Sequence, residues 1–291
     1  MAMETTNPTS VGAPTKKSHY DKVFENTTWI WSILDKYLTP SAKSTLLDNR
    51  LLPGYVNRPE FSRASTNSVK MTAGAYELFD GTTSRMVAWN ADLTYTFTNL
   101  TTVSTWCYLY LDESAISTNI LTTSEFTDST VAPSYDSRQG GYYNGNDRCI
   151  LAVRSNTAGE MDEFYHDGNE VIQYVSHFID ITKTATFFDW TTAQITIPPV
   201  SKKALVSWAV IHKSTAYQTI RYRPAGSTST VGHIVNQIYS TITDNDNNCH
   251  NTISVLTDSS QEIEYGCGVQ STLSNITLTV YTHGYYFPKG M

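Results

Sequence analysis

Residues 251–291 read NTISVLTDSSQEIEYGCGVQSTLSNITLTVYTHGYYFPKGM, and this stretch decides the fold. From residue 275 to residue 281 every second residue is hydrophobic, so Ile276, Leu278 and Val280 share one face of an extended chain. Threonines and a tyrosine occupy the opposite face. Side chains of a β-strand point alternately to its two faces. The pattern therefore predicts a strand with one buried and one solvent-facing side.

The preceding part of the same stretch predicts a β-hairpin. Ile253 and Val255 alternate with polar neighbours, residues 258–260 (Asp-Ser-Ser) interrupt the run, and residues 262–265 resume a period of two. Two short alternating runs separated by turn-forming residues are typical of paired antiparallel strands. We expect three short strands in this part of the chain.

The composition extends this interpretation to the whole chain. Of the 291 residues only 16% are charged, and 19 Tyr, 10 Phe and 6 Trp favour strands over helices. Residues 103–111 and 204–212 are apolar on both faces, which is typical of central strands. We predict a mainly β protein with two antiparallel β-sandwich domains of jelly-roll type, preceded by a flexible tail and a short N-terminal helix.

The predicted domain boundaries follow breaks in the hydrophobic pattern. Residues 1–60 form an N-terminal tail, helix and linker, which is rich in Thr, Ser and Pro and ends in Pro-containing turns. Residues 61–185 form the first β-sandwich domain and residues 186–291 the second. A chain of this length is long enough for two separate cores.

The helix predicted within residues 26–38 is the proposed attachment element. Its apolar residues cover more of the circumference than a solvent-exposed helix requires, so another surface covers it. That surface belongs either to the chain's own first domain or to a partner on which the chain docks. The residues assigned to attachment or assembly are Trp29, Ile30, Trp31, Ile33 and Leu34.

Residues 134–147, SYDSRQGGYYNGND, predict a long exposed loop. Clustered Tyr, Gly and Asn residues combine rigid aromatic area with a flexible backbone, as recognition loops do. We assign Tyr135, Tyr142, Tyr143 and Asn144 to a receptor-binding or subunit-interface loop. The alternative is that the loop packs on its own sandwich.

Metal-binding and catalytic motifs do not emerge from the sequence. No two histidines are spaced as an H-E-x-x-H motif, and we expect no metal and no cofactor. Residues 244–248 begin like a calcium loop, but Cys249 replaces the required Gly and Val255 the bidentate Glu, so we interpret them as a polar turn. Adjacent carboxylates on a strand point to opposite faces and cannot bracket a glycosidic bond. We therefore predict a protein that is not an enzyme.

Charge and hydropathy limit the partners. The net charge is −7, and Lys and Arg are scattered along the chain, so we expect no nucleic-acid partner. The longest apolar run, residues 204–211, is shorter than the roughly 20 residues that span a bilayer, so we expect no membrane insertion. The first residues lack the apolar core of a secretory signal, which predicts synthesis in the cytoplasm.

Residues 65–291 contain a succession of strand-like segments, in chain order TAGAYELFDG, TWCYLYLDES, DRCILAVRSNTAGEMDEF, IPPVSKKALVSWAVIHKS, TIRYRPAG, SSQEIEYGCG and ITLTVYTHGYYF. This succession resembles appendage proteins of tailed bacteriophages, namely head fibres, decoration proteins or tail-fibre tip modules. The chain contains no collagen-like or heptad repeats, which argues against a long fibre shaft.

The resemblance implies a function. Such proteins attach to the particle through an N-terminal segment, expose β-sandwich modules and are commonly trimers. We therefore expect a virion structural protein, made in the host cytoplasm, that docks on capsid, neck or tail proteins and forms a homo-oligomer, with a trimer favoured. Host-surface glycans are a further expected partner. The alternative is a carbohydrate-binding, receptor-binding module.

Overall fold

Antiparallel β-sheets make up nearly all of the regular structure in the computed structural model. The structure describes residues 56–79, 82, 84–166, 168, 170–184, 189–212, 218–238, 247–269 and 276–291. The predicted mainly β, sandwich-class fold is confirmed for these residues. The predicted tail and helix, with the attachment residues Trp29, Ile30, Trp31, Ile33 and Leu34, lie outside them.

The described residues form twenty strands and two single-turn 3₁₀ helices, Glu113–Ala115 and Thr123–Glu125. The strands, in chain order, are β1 (Val56–Asn57), β2 (Phe61–Arg63), β3 (Ser68–Met71), β4 (Gly74–Phe79), β5 (Ser84–Trp89), β6 (Leu93–Thr96), β7 (Trp106–Leu111), β8 (Phe126–Ser129), β9 (Ser134–Asp136), β10 (Gly141–Asn144), β11 (Asp147–Arg154), β12 (Phe164–His166), β13 (Val171–Thr184), β14 (Thr191–Gln194), β15 (Lys203–His212), β16 (Gln218–Pro224), β17 (His233–Ile238), β18 (Asn247–Leu256), β19 (Glu262–Val269) and β20 (Ile276–Tyr286).

These strands pair into five sheets, and every ladder between them is antiparallel. Two sheets have three strands, in the orders β1-β4-β5 and β2-β3-β6. The central sheet has the order β8-β7-β11-β10-β9. The C-terminal sheet has the order β12-β13-β20-β15-β18, and a four-stranded sheet has the order β14-β19-β16-β17. Residues 52–291 belong to one compact unit.

The two strands predicted to be apolar on both faces are central in their sheets. Strand β7 lies between β8 and β11, and all its residues after Trp106 are buried. Strand β15 lies between β20 and β18, with Trp208 fully buried. Strand β7 is covered on both faces, which explains its continuous apolar run. Strand β15 is covered on one face, because Leu205 and Ser207 are partly exposed and Ile211 is exposed.

The predicted C-terminal hairpin is wrong. Strand β18 pairs with β15, whereas β19 pairs with β14 and β16 in another sheet. The residues between them redirect the chain, because Asp258 Oδ1 accepts hydrogen bonds from the amides of Ser260 and Glu262, and Gln261 has a φ of 61°. Such an Asx turn does not impose the tight two-residue reversal of a hairpin. The chain therefore crosses between sheets.

The alternation predicted for residues 275–281 is confirmed from Ile276 onward. Strand β20 buries Ile276, Leu278 and Val280 and leaves Thr277, Thr279 and Tyr281 partly exposed. It lies between β13 and β15, with which it forms long ladders. The last strand of the chain therefore occupies the middle position of the five-stranded C-terminal sheet.

The chain passes from the central sheet to the C-terminal sheet before it reaches the domain boundary predicted at 185/186. Strands β12 and β13, in the predicted first domain, extend the C-terminal sheet because β13 pairs with β20. Residues 185–188 lie outside the described part of the chain. The division into residues 61–185 and 186–291 stays a prediction about folding units.

A fully buried ion pair joins two of the sheets. Arg148 on β11 and Glu77 on β4 have side chains of 0% relative exposure, and Arg148 Nη1 lies 3.1 Å from Glu77 Oε2. The guanidinium lies 5.4 Å from the ring centre of Tyr76 and 5.8 Å from that of Tyr143. A buried charge requires a partner of this kind, because losing its hydration costs several kcal/mol.

The same arginine fixes the C-terminal segment. Arg148 Nη2 donates a hydrogen bond to the carbonyl oxygen of Gly290 at 2.8 Å. Arg58 donates from Nε and Nη2 to the carbonyl oxygen of Met291, at 3.0 and 2.6 Å, and the Met291 side chain is fully buried. These contacts tie the last residues to β11 and to the residue that follows β1.

A buried carboxylate connects the β2-β3-β6 sheet to the central sheet. Asp128 on β8 is 5% exposed and accepts hydrogen bonds from Tyr95 Oη at 2.8 Å, from the Thr98 amide and from the Asn99 amide at 2.7 Å. Burial disfavours the charged carboxylate, but the hydrogen bonds outweigh burial and lower its pKa below the ordinary value of 3.8.

Replacing Arg148 with Met should destabilise the fold strongly. The substitution leaves the Glu77 carboxylate buried without its cation, which costs about 3–5 kcal/mol. The double change Glu77→Met with Arg148→Met should cost less than Arg148→Met alone, since no buried charge remains. Chemical denaturation of the full chain measures both values.

Arg138→Met is the matched control for that experiment. Arg138 pairs with Asp136 at 2.8 Å, but its side chain is 83% exposed, so its removal should leave stability almost unchanged. An Arg148→Met chain that is as stable as the Arg138→Met chain would show that the buried pair does not hold the sheets together.

Asp128→Asn should lower stability at pH 7 by about 1.5–3 kcal/mol, because hydrogen bonds to a charged acceptor are lost. A folded-state pKa below 3.8 means that the carboxylate contributes stability above that pH and loses it as the pH falls through the folded value. The difference between the two chains should therefore narrow below pH 3.8. The exposed Asp92, changed to Asn, is the control, and a difference that does not depend on pH would contradict the assignment.

Candidate functional site

A polar groove opens where the central, C-terminal and four-stranded sheets approach one another. Its volume is about 430 Å³. It is called the polar groove below, and the side chains that define its chemistry are Trp106, Arg154, Asp180, Gln194, Thr196 and Gln261.

The segment after β14 forms one wall of the polar groove. The Ile197 amide donates to the Ile195 carbonyl oxygen at 2.9 Å, a tight three-residue turn around Thr196. Residues 198–199 are both proline and have no amide hydrogen for a ladder, so the strand cannot continue. The chain is bent here because its sequence prevents further pairing.

Asp180 holds that turn in place. Its Oδ2 accepts a hydrogen bond from the Thr196 amide at 2.8 Å, and its Oδ1 accepts one from Thr196 Oγ1 at 2.6 Å. Thr282 on β20 also donates its hydroxyl to Asp180 Oδ2. A carboxylate with three donors from two other segments is positioned by them rather than by its own strand.

Trp106 and Arg154 supply the aromatic and cationic surface of the polar groove. The Trp106 ring is partly exposed and packs edge-on against Tyr285, with ring centres 5.9 Å apart. The Arg154 guanidinium lies 4.6 Å from the ring centre of Phe178 and pairs with Asp162 at 3.3 Å. These contacts hold both side chains in position while leaving part of each at the surface.

Two glutamines supply amide groups. Gln261 is 7% exposed and donates from Nε2 to the carbonyl oxygens of Ser259 at 2.7 Å and Pro199 at 3.4 Å. Gln194 is exposed and donates to the Ser260 carbonyl oxygen at 3.4 Å. In both residues the amide oxygen accepts no hydrogen bond from the described residues, so it is available to a ligand.

The polar groove combines one partly exposed indole ring with hydrogen-bond donors and acceptors and with side chains of both charges. Amide oxygens accept hydrogen bonds, and Arg154 donates from nitrogens that Asp162 does not occupy. Ligand sites typically join an apolar or aromatic surface to a few polar groups that fix orientation. A hydroxyl-rich ligand with one apolar face matches this arrangement.

The predicted recognition loop is a strand pair instead. Tyr135 on β9 lies opposite Tyr142 on β10, and their ring centres are 5.3 Å apart. Asn144 is exposed, but Tyr143 is 4% exposed and its ring lies beside Arg148. The expectation that Tyr143 is at the surface is wrong, because adjacent residues of a strand face opposite sides. The receptor or interface role of the other three stays a prediction.

The residues of the polar groove were not identified from the sequence. They come from distant segments, on β7, β11, β13, β14 and the turn before β19. Each segment contributes one or two polar or aromatic residues, and in the sequence these resemble any solvent-facing position. The one local signal is Pro198–Pro199, which marks an interrupted strand but not the ligand chemistry.

A histidine and serine lie together on the outer face of the C-terminal sheet. His283 Nε2 is 2.7 Å from Ser207 Oγ, and the His177 ring centre is 5.6 Å from that of His283. Ser207 also shares a hydrogen bond with Thr252 Oγ1 at 2.6 Å. Among the described residues no carboxylate hydrogen-bonds to His283, so the pair lacks the third group that orients a catalytic base.

The sequence predicts neither a metal site nor a membrane-spanning segment. Within the described ranges, no three His, Cys, Asp or Glu residues are grouped as metal ligands. Residues 244–246 of the polar turn lie outside those ranges. None of the described helices has the length and apolar character needed to cross a membrane.

Comparisons with known proteins give only distant likenesses. No family model matches the chain, and no curated protein matches it. A Bacillus thuringiensis Cry1Da tryptic core variant is 11% identical over 78% of this chain, with a TM-score of 0.22, and the match spans half of that protein's length. The protein of infectious bursal virus derived T=1 particles is 11% identical over 83% of this chain and 79% of its own, also with a TM-score of 0.22. At such scores these likenesses carry no argument about fold or function.

Proposed function

We propose that this chain is a non-enzymatic structural protein of a tailed-bacteriophage virion, an appendage whose β-sandwich region recognises saccharides on the host surface. The observation that carries the recognition role is the polar groove, which Trp106, Gln194 and Gln261 line together. The virion role rests on the segments that resemble phage appendage proteins.

The chemistry of the polar groove supports a saccharide more than other ligands. A pyranose ring presents axial C–H groups, which pack on an aromatic face, and hydroxyls, which exchange hydrogen bonds with amides and guanidinium groups. Cationic and anionic side chains both line the groove, so it does not select a polyanion. An aromatic side chain with several polar groups at its edge is the arrangement expected for a neutral sugar.

The attachment role belongs to residues 1–60. Their Thr-, Ser- and Pro-rich composition and the apolar residues Trp29–Leu34 support docking on capsid, neck or tail proteins. Burying an apolar side chain stabilises a contact by about 1.5–3 kcal/mol before ordering costs. We include a homo-oligomer, with a trimer favoured, in this proposal.

Trp106→Ala should weaken binding of neutral oligosaccharides about three- to tenfold, because an aromatic contact contributes about 0.5–1.5 kcal/mol. Gln194→Ala should have a smaller effect through one lost hydrogen bond. A glycan array identifies the ligand, and titration calorimetry with the full chain measures the affinity.

Two matched variants remove similar groups outside the polar groove. Trp190→Ala removes an indole that packs against Arg223, with the guanidinium 4.3 Å from the ring centre, and Gln173→Ala removes an exposed amide on β13. Both should bind neutral sugars as the unaltered chain does. Equal weakening by all four substitutions, or no neutral sugar bound by the unaltered chain, would contradict the assignment of the groove.

A chain that begins at Pro53 should fold with the melting temperature of the full chain, since residues 52–291 belong to one compact unit. It should remain a monomer in light scattering, whereas the full chain should have the mass of a homo-oligomer. Loss of folding would place the N-terminal segment in the β-core. A shortened chain that still oligomerises would place assembly in the β-sheets.

A further inference from the structure

A second groove is lined by the continuation of the segment that bounds the polar groove. Its volume is about 260 Å³. The polar groove is lined by Ile195, Thr196, Ile197 and Pro199, and this groove is lined by residues 200–203. It is called the lysine groove, and the side chains that define it are Lys202, Lys203, Lys289, Glu170, Tyr142 and Tyr286.

Two of the lysines are placed by the start of β15. Ser201 Oγ donates hydrogen bonds to the carbonyl oxygens of Lys203 at 3.1 Å and Tyr286 at 2.8 Å. Ser201 is fully buried, so the backbone that carries Lys202 and Lys203 is fixed against β20. The lysine side chains extend from this anchored point.

Lys289 is placed by the fixed C-terminal segment. Gly290 has a φ of 83°, and a Cβ there would lie 1.9 Å from the Gly140 carbonyl oxygen. Only glycine fits so close an approach, and it allows the segment to pack against residues 140–141. The hydrogen bond from Arg148 to the Gly290 carbonyl oxygen holds the residue next to Lys289.

Lysines outnumber carboxylates among the described residues that line this groove. Among the described residues, none of its lysines has a carboxylate oxygen within 4.0 Å. Glu170 is the one carboxylate among the described residues that line it. Three lysines and one carboxylate residue therefore line this cavity, and an anionic group that enters it is attracted by the excess positive charge. Three lysines around one groove contrast with the net charge of −7 of the whole chain.

Aromatic rings form part of the wall beside the lysines. Lys203 Nζ is 3.9 Å from the ring centre of Tyr286, whose hydroxyl shares a hydrogen bond with Ser254 Oγ at 2.6 Å. The Tyr142 ring also lines the groove and packs against Tyr135. A ligand here meets both cationic groups and aromatic surface.

We propose that the lysine groove binds a negatively charged saccharide, carboxylated or sulfated. This inference rests on the proposed saccharide-recognition function and adds a second site with a charged ligand class. Lysine ammonium groups bind carboxylate and sulfate oxygens as compact point charges. The rings of Tyr142 and Tyr286 offer apolar surface to the sugar ring. The small cavity and the negative net charge of the chain both disfavour an extended polyanion.

The test compares three probes, 3′-sialyllactose, sulfated lactose and neutral lactose, in titrations of the full chain. Lys202→Gln with Lys289→Gln should weaken binding of at least one charged probe by about five- to twentyfold, since each exposed charge contributes up to about a fivefold change. Binding of neutral lactose should not change. Added salt should weaken the charged probe and leave the neutral one unaffected. The two charged probes distinguish a carboxylate from a sulfate.

Lys70→Gln with Lys183→Gln removes the same charge outside the groove and is the control, with melting curves for every chain. The inference is overturned if both charged probes bind the Lys202/Lys289 variant as they bind the unaltered chain, or if the control pair weakens them equally. If Trp106→Ala abolishes binding of all three probes while the lysine changes have no effect, the proposed function stands and the lysine groove does not. If the lysine changes weaken a charged probe and Trp106→Ala has no effect on lactose, the lysine groove stands and the saccharide site in the polar groove does not.

Discussion

The buried ion pair between Arg148 and Glu77 is the constraint on which the arrangement of the sheets depends. The two residues lie on β11 and β4, in different sheets, and both side chains are completely buried. Replacing one of these residues alone would leave the opposite charge buried without this ion pair, which is far more costly than losing an apolar contact. Because Arg148 also donates to the Gly290 carbonyl oxygen, the end of the described chain is fixed at the same point.

That fixed end determines the position of both grooves through β20. The strand lies between β13 and β15, so it cannot move without breaking both ladders. Its Thr282 hydroxyl donates to Asp180, its Tyr285 ring packs against Trp106, and its Tyr286 ring lies beneath Lys203. The Tyr285 hydroxyl donates to the Ala152 carbonyl oxygen at 2.6 Å, which joins the C-terminal sheet to the central one. The proposed ligand contacts therefore depend on core packing, although the ligand surfaces themselves are exposed.

The sequence predicted which faces are buried better than which strands are partners. Alternation within Ile276–Val280 and the apolar runs of β7 and β15 report burial directly, because the period of a strand is a local property. Pairing is a choice among distant segments, so residues 253–265 predicted a hairpin although β18 and β19 enter different sheets. The polar groove was not predicted from the sequence for the same reason. Its groups come from distant segments, and only folding brings Trp106, Asp180 and Gln261 together.

Interrupted pairing explains why both grooves flank the segment from Ile195 to Lys203. Pro198 and Pro199 prevent the chain from continuing as a strand, so the backbone turns away, and residues before Val200 line the polar groove while residues from Val200 onward line the lysine groove. Shallow grooves with a few partly exposed contacts bind single sugars weakly, because each contact contributes only about 0.5–1.5 kcal/mol. Weak sites become effective when several copies are held together, since the second contact then forms at a high local concentration. In the proposed appendage, oligomerisation through the N-terminal segment would therefore convert weak saccharide contacts into firm attachment, and recognition would depend on residues that touch no sugar.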